Sequence, residues 1–331
     1  MHIVTMASRR GAGVWSHLPS LTVALLSRRK DPSTALWVDL GRRYEMLNHL
    51  GLAASLVQER ASLAGIVDCC GEETATDPSA LLELTAATLG AHASEGMAGD
   101  SSDRGYYGDA PPIRLLGPGI EQYRSAVSSF SSQGHRVFMV PLEVPSPPAK
   151  MPVVTNRSAE FASAVRRIVR ATDPQYVFLT CEGQPEAHLF GEQLANNTLL
   201  QWALDVSAII LCFVRHDSVP RFHDSVAIPA LLSRNPRWRN RLRLALTRAT
   251  EEPSVPPAMQ DMVLGHLPFS QFVGQAVSLG RIPVFDIPRG RPSPPEQNRY
   301  MRSIEALAQR LDESLEAVVT PGNCLQEQAR S

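Results

Sequence analysis

Short apolar runs alternate along this chain with longer segments whose apolar residues recur every three or four positions. The apolar runs predict strands at 2–6, 35–39, 136–140, 176–181, 207–214, 242–247, 262–267 and 282–286. The periodic segments predict helices at 18–29, 44–50, 78–91, 120–132, 157–171, 187–204, 220–233, 270–279 and 296–317. Several strands are apolar nearly throughout, which is typical of strands covered on both faces. The alternation therefore predicts an α/β fold of three layers, with helices on both faces of a mainly parallel sheet.

Two segments interrupt this alternation. Residues 92–112 are rich in Gly, Ser and Asp and are expected to form a mobile surface insertion. Residues 143–153 are a proline-rich connector. Neither requires a domain boundary, so we expect one domain over residues 1–320, followed by a disordered tail at 321–331.

Charge and cysteine usage narrow the class of protein. The chain has 331 residues and a formal net charge of -1, so its overall charge does not indicate nucleic-acid binding. The five cysteines lack metal-ligand spacing and are expected to be reduced thiols. The chain shows neither a signal peptide nor an apolar run of membrane-spanning length, and a cytoplasmic location is expected.

The first predicted strand leads into a glycine-containing turn and then a helix, in the stretch "SRRGAGVWS" (8–16). Phosphate-binding loops have this order, because backbone N–H groups and a helix N-terminus hold anionic oxygens. Ser16 is suited to binding a metal, but Trp15 stands where a lysine is expected. The residues alone leave three alternatives: a nucleotide-binding loop, a degraded one, or an ordinary turn.

Four segments, in order, resemble the ParA/MinD family of deviant Walker A ATPases. They are the loop "SRRGAGVWS", the strand "ALWVDLGRRYEMLNHLGL", the strand "DPQYVFLTCEGQPE", and "VLGHLPFSQFVGQAVSLGRIPVFDIP" followed by "SIEALAQRL". The pilus-positioning branch, CpaE and TadZ, is most similar in its altered loop. The resemblance covers about residues 1–50 and 160–312, and implies the P-loop NTPase fold.

The resemblance also implies roles for single residues. Arg10 matches the nucleotide-binding lysine that reaches across the dimer interface to the phosphates in the other subunit, and Trp15 replaces the lysine that neutralises the phosphates. Gly11 and Gly13 would contribute backbone to the nucleotide site and Ser16 would hold magnesium. Since an indole supplies no cation, we expect ATP hydrolysis to be weak or absent.

Four positions further along the chain complete the implied site. Asp39 matches the first acidic residue of the VDLD motif, which implies a catalytic role in orienting magnesium or water. Glu182 stands at the Walker B position, which implies a catalytic and magnesium-binding carboxylate. Thr247 replaces an asparagine that commonly reads adenine, and Pro268 belongs to the late "LP" motif. The cofactor is therefore expected to be either none or ATP/ADP with magnesium.

A basic stretch at 233–248 is the strongest charge cluster in the sequence. It offers a candidate patch for a protein partner or DNA, made of Arg234, Arg237, Trp238, Arg239 and Arg241. Arginines bind phosphates and a neighbouring tryptophan stacks on unpaired bases, but a solvated surface is the alternative, and DNA is not favoured.

Taken together, the sequence predicts a degenerate ParA/MinD-like scaffold or positioning factor, serving pilus or secretion machinery or cargo partition. It is expected to form a homodimer in which Arg10 contacts the partner. Two alternatives remain open: an active ATPase with a remodelled loop, and an interaction module that needs no nucleotide.

Overall fold

The computed structural model describes residues 1–8, 14–40, 50, 62–63, 66–67, 79, 81–85, 120–142, 158–180, 198–216, 236–249, 255, 257–286 and 295–318. Its strands are β1 His2–Ser8, β2 Thr34–Asp39, β3 Leu82–Glu83, β4 Arg136–Pro141, β5 Tyr176–Thr180, β6 Ile209–Arg215, β7 Leu242–Ala249 and β8 Val263–Pro268. Its helices are α1 Val14–Ser27, α2 Ile120–Ser132, α3 Ser158–Thr172, α4 Thr198–Val206, α5 Pro257–Gln260, α6 Gln271–Ser278 and α7 Pro295–Ala317. Short 3-10 turns lie at Pro236–Trp238 and Pro283–Phe285.

The described strands form one sheet in the order β3-β4-β2-β5-β1-β6-β7-β8. Only β3 runs antiparallel to its neighbour, and the other pairs are parallel. The predicted strands 35–39 and 176–181 are adjacent as β2 and β5. The prediction of a mainly parallel α/β sheet is confirmed.

Two apolar cores lie on opposite faces of the sheet. One is built with α1, α2, α6 and α7, and the other with α3, α4 and α5. Helix α1 is buried on nearly every side because it packs against both the sheet and α7. A helix that is apolar all round fits such an interior position. The molecule therefore has the predicted three layers.

A polar cluster at the amino edge of the sheet fixes how α1 and α7 run. The Tyr176 hydroxyl donates to Asp312 Oδ1 over 2.8 Å, and the Arg29 guanidinium contacts both side chains. Burial raises the pKa of Tyr176. At the other end of the same helix pair, His17 of α1 meets Tyr300 of α7. The two helices therefore run parallel to each other, and α7, like α1, begins at the carboxyl edge of the sheet.

Some predicted elements differ in the structure. Residues 283–285 form a 3-10 turn rather than a strand, because Pro283 fixes φ and has no N–H to donate to a ladder. Within the predicted helix 78–91, Leu82 and Glu83 instead pair with β4, where Arg136 donates to both Glu83 carboxylate oxygens at 2.8 and 2.7 Å. Helix α1 begins at Val14, four residues before its predicted start.

Both ends of α6 carry recognisable capping residues. Ser270 caps α6 by accepting the N–H of Val273 at 3.3 Å. Gly280 follows α6 with a φ of 67°, the left-handed conformation that commonly ends a helix. Outside the described residues lie the predicted helix 44–50 apart from Leu50, the predicted helix 220–233, the insertion 92–112, the connector 143–153 and the tail 321–331. In the described ranges, no helix combines the length and apolar character that crossing a membrane requires.

Candidate functional site

The carboxyl ends of the parallel strands meet at one edge of the sheet, where α/β proteins bind ligands. Asp39 and Thr180 end β2 and β5, and Thr247 and Pro268 lie at the ends of β7 and β8. We call these the β2–β5 end and the β7–β8 end. Strand β1, which leads to the predicted phosphate loop, lies between them. With about 4.8 Å between neighbouring strands, Asp39 and Thr247 are about 20 Å apart.

At the β2–β5 end, Trp15 belongs to the core. It is the second residue of α1 and only 1% exposed. Its ring meets Trp37 of β2 edge-to-face, with centroids 6.2 Å apart, and the Trp37 indole N–H donates to Thr22 Oγ1 over 2.9 Å. The position where a phosphate-binding lysine was expected therefore holds a buried aromatic side chain.

Asp39 is held within the sheet at the same end. Its carboxylate is buried and accepts a hydrogen bond from Thr180 Oγ1 at 3.1 Å, and the Leu40 N–H donates to the Thr180 carbonyl over 2.8 Å. Asp39 and Thr180 are direct register partners in β2 and β5. The structure thus brings Asp39 to the predicted edge, and its catalytic role stays a prediction.

The first turn of α1 faces the first turns of α7. Ser16 is half-buried, and the next residue, His17, is buried. The His17 ring stacks on Phe213 at 6.0 Å between centroids, and its Nδ1 lies 3.3 Å from the Tyr300 hydroxyl oxygen. Burial raises the pKa of Tyr300. This aromatic contact fixes the beginning of α7 beside the carboxyl edge.

The β7–β8 end holds two buried polar side chains that make no hydrogen bond within the described part of the chain. Thr247 is 1% exposed and its hydroxyl has no partner there. Gln297, in the first turn of α7, is also 1% exposed, and neither atom of its amide group has a partner there. Phe269 beside Pro268 is 60% exposed, with the Arg248 guanidinium 5.9 Å from its ring centroid.

Sequence reasoning missed Gln297. A usable signal exists: it occupies the apolar face of α7, in line with Tyr300, Ile304, Leu307 and Leu311, which are all buried. The helix periodicity alone therefore predicts that this glutamine is buried.

The basic stretch is largely involved in structural contacts. Trp238 is 1% exposed and its indole N–H donates to Asp205 Oδ1 over 3.0 Å, so its ring is packed inside the protein rather than presented to a base. Arg237 pairs with the same carboxylate at 2.8 Å. Arg241 donates to the carbonyls of Asp205 and Ser207 at 3.0 and 2.7 Å.

Arg239 differs from these arginines. Its side chain is exposed and has no hydrogen-bond or ion-pair partner that the described ranges supply. Residues 236–241 precede β7 and therefore lie at the amino edge, opposite the candidate site. Five of the predicted site residues lie outside the described residues: Arg10, Gly11, Gly13, Glu182 and Arg234.

Comparison with solved structures gives the fold. The chain is similar to the MinC:MinD cell division protein complex of Aquifex aeolicus, with a TM-score of 0.53, 13% identity, and coverage of 95% of this chain and 96% of that one. It is also similar to a ParA family ATPase from Chlorobium tepidum TLS, with a TM-score of 0.50, 12% identity, and coverage of 93% and 98%. The chain has the ParA/MinD fold. No protein-family model and no curated protein sequence matches it.

Among the described residues, the β2–β5 end and the β7–β8 end of this ParA/MinD fold differ in how well they suit a nucleotide. Near the β2–β5 end, the indole of Trp15 is buried and offers phosphate no cation, so we derive no hydrolytic step. At the β7–β8 end, unpaired buried polar atoms are present, as expected of groups that bind a ligand. Among the described residues, no group of three or more His, Cys, Asp or Glu side chains is placed to hold a metal ion.

Proposed function

We propose that this protein is a scaffold or positioning factor built on the ParA/MinD fold, with weak or no ATP hydrolysis. The observation that carries the proposal is the burial of Trp15 against Trp37. Phosphoryl transfer depends on positive charge placed at the phosphates, and removing one well-placed electrostatic group costs about 10²–10³ in rate. Because the indole packs into the core, the tryptophan that stands in place of the lysine contributes to the packing of the domain.

The proposed protein acts through other macromolecules. A protein partner in pilus or secretion machinery or in cargo partition, a cytoplasmic location and a homodimer form part of the proposal, as does kinship with the CpaE branch. One similar structure is a MinC:MinD complex, which gives a precedent for a protein partner. DNA is disfavoured because Trp238 is buried and Arg237 is paired with Asp205. The dimer contact through Arg10 stays a prediction.

Phosphate release tests the proposal directly. The full chain is incubated with ATP and magnesium, next to an intact ParA/MinD ATPase at equal concentration. Release from this chain should be at least about 10²-fold slower, since position 15 supplies no cation. Turnover close to that of the intact enzyme would overturn the proposal and favour the active ATPase with a remodelled loop.

A magnesium-free sample and an Arg10→Ala variant serve as controls. Release that needs magnesium and disappears in Arg10→Ala would assign the lysine's role to Arg10. Background release in every sample supports the scaffold.

A further inference from the structure

The amino end of β7 carries more positive charge than the described carboxylates around it compensate. Four arginines lie at or just before this strand end: Arg237, Arg239, Arg241 and Arg243. In the described part of the chain, Asp205 is the one carboxylate that forms an ion pair with any of them. Its oxygens already accept the Arg237 guanidinium and the Trp238 indole N–H, over 2.8 to 3.0 Å. The negative charge of Asp205 is therefore committed to Arg237.

Arg243 is a half-buried cation whose contacts in the described ranges include no carboxylate. Its side chain lies on the same face of β7 as Ala245 and Thr247, which are buried, because alternate residues of a strand share a face. Its Nη1 donates to the carbonyl of the preceding Leu242 over 2.9 Å. Burial lowers the pKa of Arg243, since a neutral carbonyl does not cancel the charge. A guanidinium in this setting costs free energy that a bound anion would offset.

Arg241 and Arg239 extend this charge beyond the strand. The Ile210 N–H donates to the Arg241 carbonyl over 2.9 Å, so residue 241 continues the pairing with β6 and lies about 7 Å from residue 243 on the same face. The Arg241 guanidinium donates to the carbonyls of Asp205 and Ser207, which are also neutral acceptors. Arg239 is exposed and finds no partner among the described residues. We call Arg239, Arg241 and Arg243 the cationic edge.

The setting of these charges favours the carboxylates of a protein over the phosphates of a nucleic acid. A guanidinium binds a carboxylate through two parallel N–H···O bonds, and partial burial strengthens such a charged hydrogen-bonded pair. Binding to duplex DNA depends instead on the number of phosphates that cations neutralise, and within the cationic edge Arg239 alone is fully exposed. Trp238, in the same turn, is buried and offers an unpaired base no stacking surface.

We infer that the cationic edge binds an acidic segment of a protein partner, with the exposed Arg239 and the half-buried Arg243 each pairing with a carboxylate. The inference rests on the proposed function, because it names the chemistry of a partner for the proposed scaffold. The cationic edge lies at the amino edge of the sheet, opposite the candidate nucleotide site. Binding of the acidic segment therefore requires no nucleotide.

Fluorescence anisotropy with a labelled octaglutamate peptide tests the inference on the full chain at low ionic strength, where charges are least screened. A Gly-Ser peptide of the same length is the uncharged control and should not bind. Arg239→Gln and Arg243→Gln should each weaken octaglutamate binding about tenfold or more, the effect of losing a hydrogen bond to a charged group. Arg243→Lys should keep part of the affinity, because it retains the charge but loses the planar fork. Arg302→Gln is the matched control, since it removes an exposed arginine from the first half of α7 and should leave binding unchanged.

Three binding results would overturn the inference. They are an absence of octaglutamate binding by the wild-type protein, an equal loss in Arg302→Gln and the two Gln variants of the cationic edge, and tighter binding of a duplex oligonucleotide that those two variants abolish. The last result would assign the surface to nucleic acid.

Thermal unfolding without peptide is the second readout. If the Arg243 guanidinium has no anionic partner within the protein, Arg243→Met should leave the Tm unchanged or raise it. A clear drop in Tm would show that the guanidinium is paired internally and would overturn the inference. The proposed function fails on ATP turnover instead, so the two failures are distinguishable.

Discussion

Thr180 and Thr247 occupy comparable places at the two ends of the carboxyl edge. Each is a buried threonine at or near the end of a parallel strand. Thr180 donates to the Asp39 carboxylate at 3.1 Å, whereas the Thr247 hydroxyl has no partner in the described parts of the chain. Within the described ranges, the threonine hydroxyl at the β2–β5 end is therefore paired with a carboxylate, and the one at the β7–β8 end is not.

The pairing of one threonine hydroxyl and not the other indicates which end contributes to stability and which is available for binding. A buried polar group that is paired contributes to the folded state, whereas one that is unpaired costs free energy unless a ligand compensates it. Next to the β2–β5 end, Trp15 and Trp37 are buried in the core and contact each other edge-to-face. We therefore expect substitutions at the β2–β5 end to act mainly on folding, and substitutions at the β7–β8 end to act mainly on ligand binding.

The largest effect is expected from Trp15→Lys. The substitution removes a fully buried indole and puts an ammonium group among apolar side chains, so the free energy of unfolding should fall by about 3–5 kcal/mol or more. Chemical denaturation followed by circular dichroism measures it. Trp15→Phe is the control and should cost less, because it keeps an apolar ring beside Trp37. A Trp15→Lys protein as stable as wild type, with gained ATPase activity, would show that the β2–β5 end is an intact phosphate site.

The same substitution made at both threonines gives the sharpest comparison. Thr180→Val removes the donor to a buried carboxylate and should lower the free energy of unfolding by about 1–3 kcal/mol. Thr247→Val removes a hydroxyl without a described partner and should be neutral or stabilising. Denaturant titration of the two variants measures both values. Equal losses would contradict the distinction between the two ends.

The smallest effect concerns the pH dependence of the β7–β8 end. Burial, together with the nearby charges of Arg310 and His216, lowers the pKa of His266 below its usual 6.5. The folded protein then binds fewer protons than the unfolded chain, so this contribution to stability is present above pH 6.5 and is lost as the pH falls through the folded pKa. Denaturant titrations between about pH 5 and pH 8 should show stability decreasing with acidity.

His266→Gln isolates this contribution, because burial also lowers the pKa of His2 and of His135. The variant should show a shallower loss of stability at low pH than wild type. Parallel curves for the two proteins would mean that His266 does not contribute.

The fold was largely predictable because its signals are local. Apolar runs of five to eight residues identified the long parallel strands, and the helices at 120–132 and 296–317 were placed to within a residue. Gly280 is a further local signal, since it follows the end of α6 with a positive φ that is inexpensive only for glycine. The error at 82–83 shows the limit, since that short strand exists through its pairing with β4 and Arg136.

The sequence by itself determined the α/β alternation and the order of the strands along the chain. It also showed that position 15 carries a tryptophan and therefore no cation. Only the tertiary structure decided what the side chains do. It packs Trp15 against Trp37 in the core. It also forms the hydrogen bonds from Thr180 to Asp39 and from the Trp238 indole to Asp205. It also left Gln297 buried without a described partner. The physical reason is that strand and helix patterns depend on neighbours within a few residues, whereas each of these contacts or burials depends on which elements pack together. Pairing and exposure are thus properties of the assembled sheet and helices, and they make the two ends of one edge different.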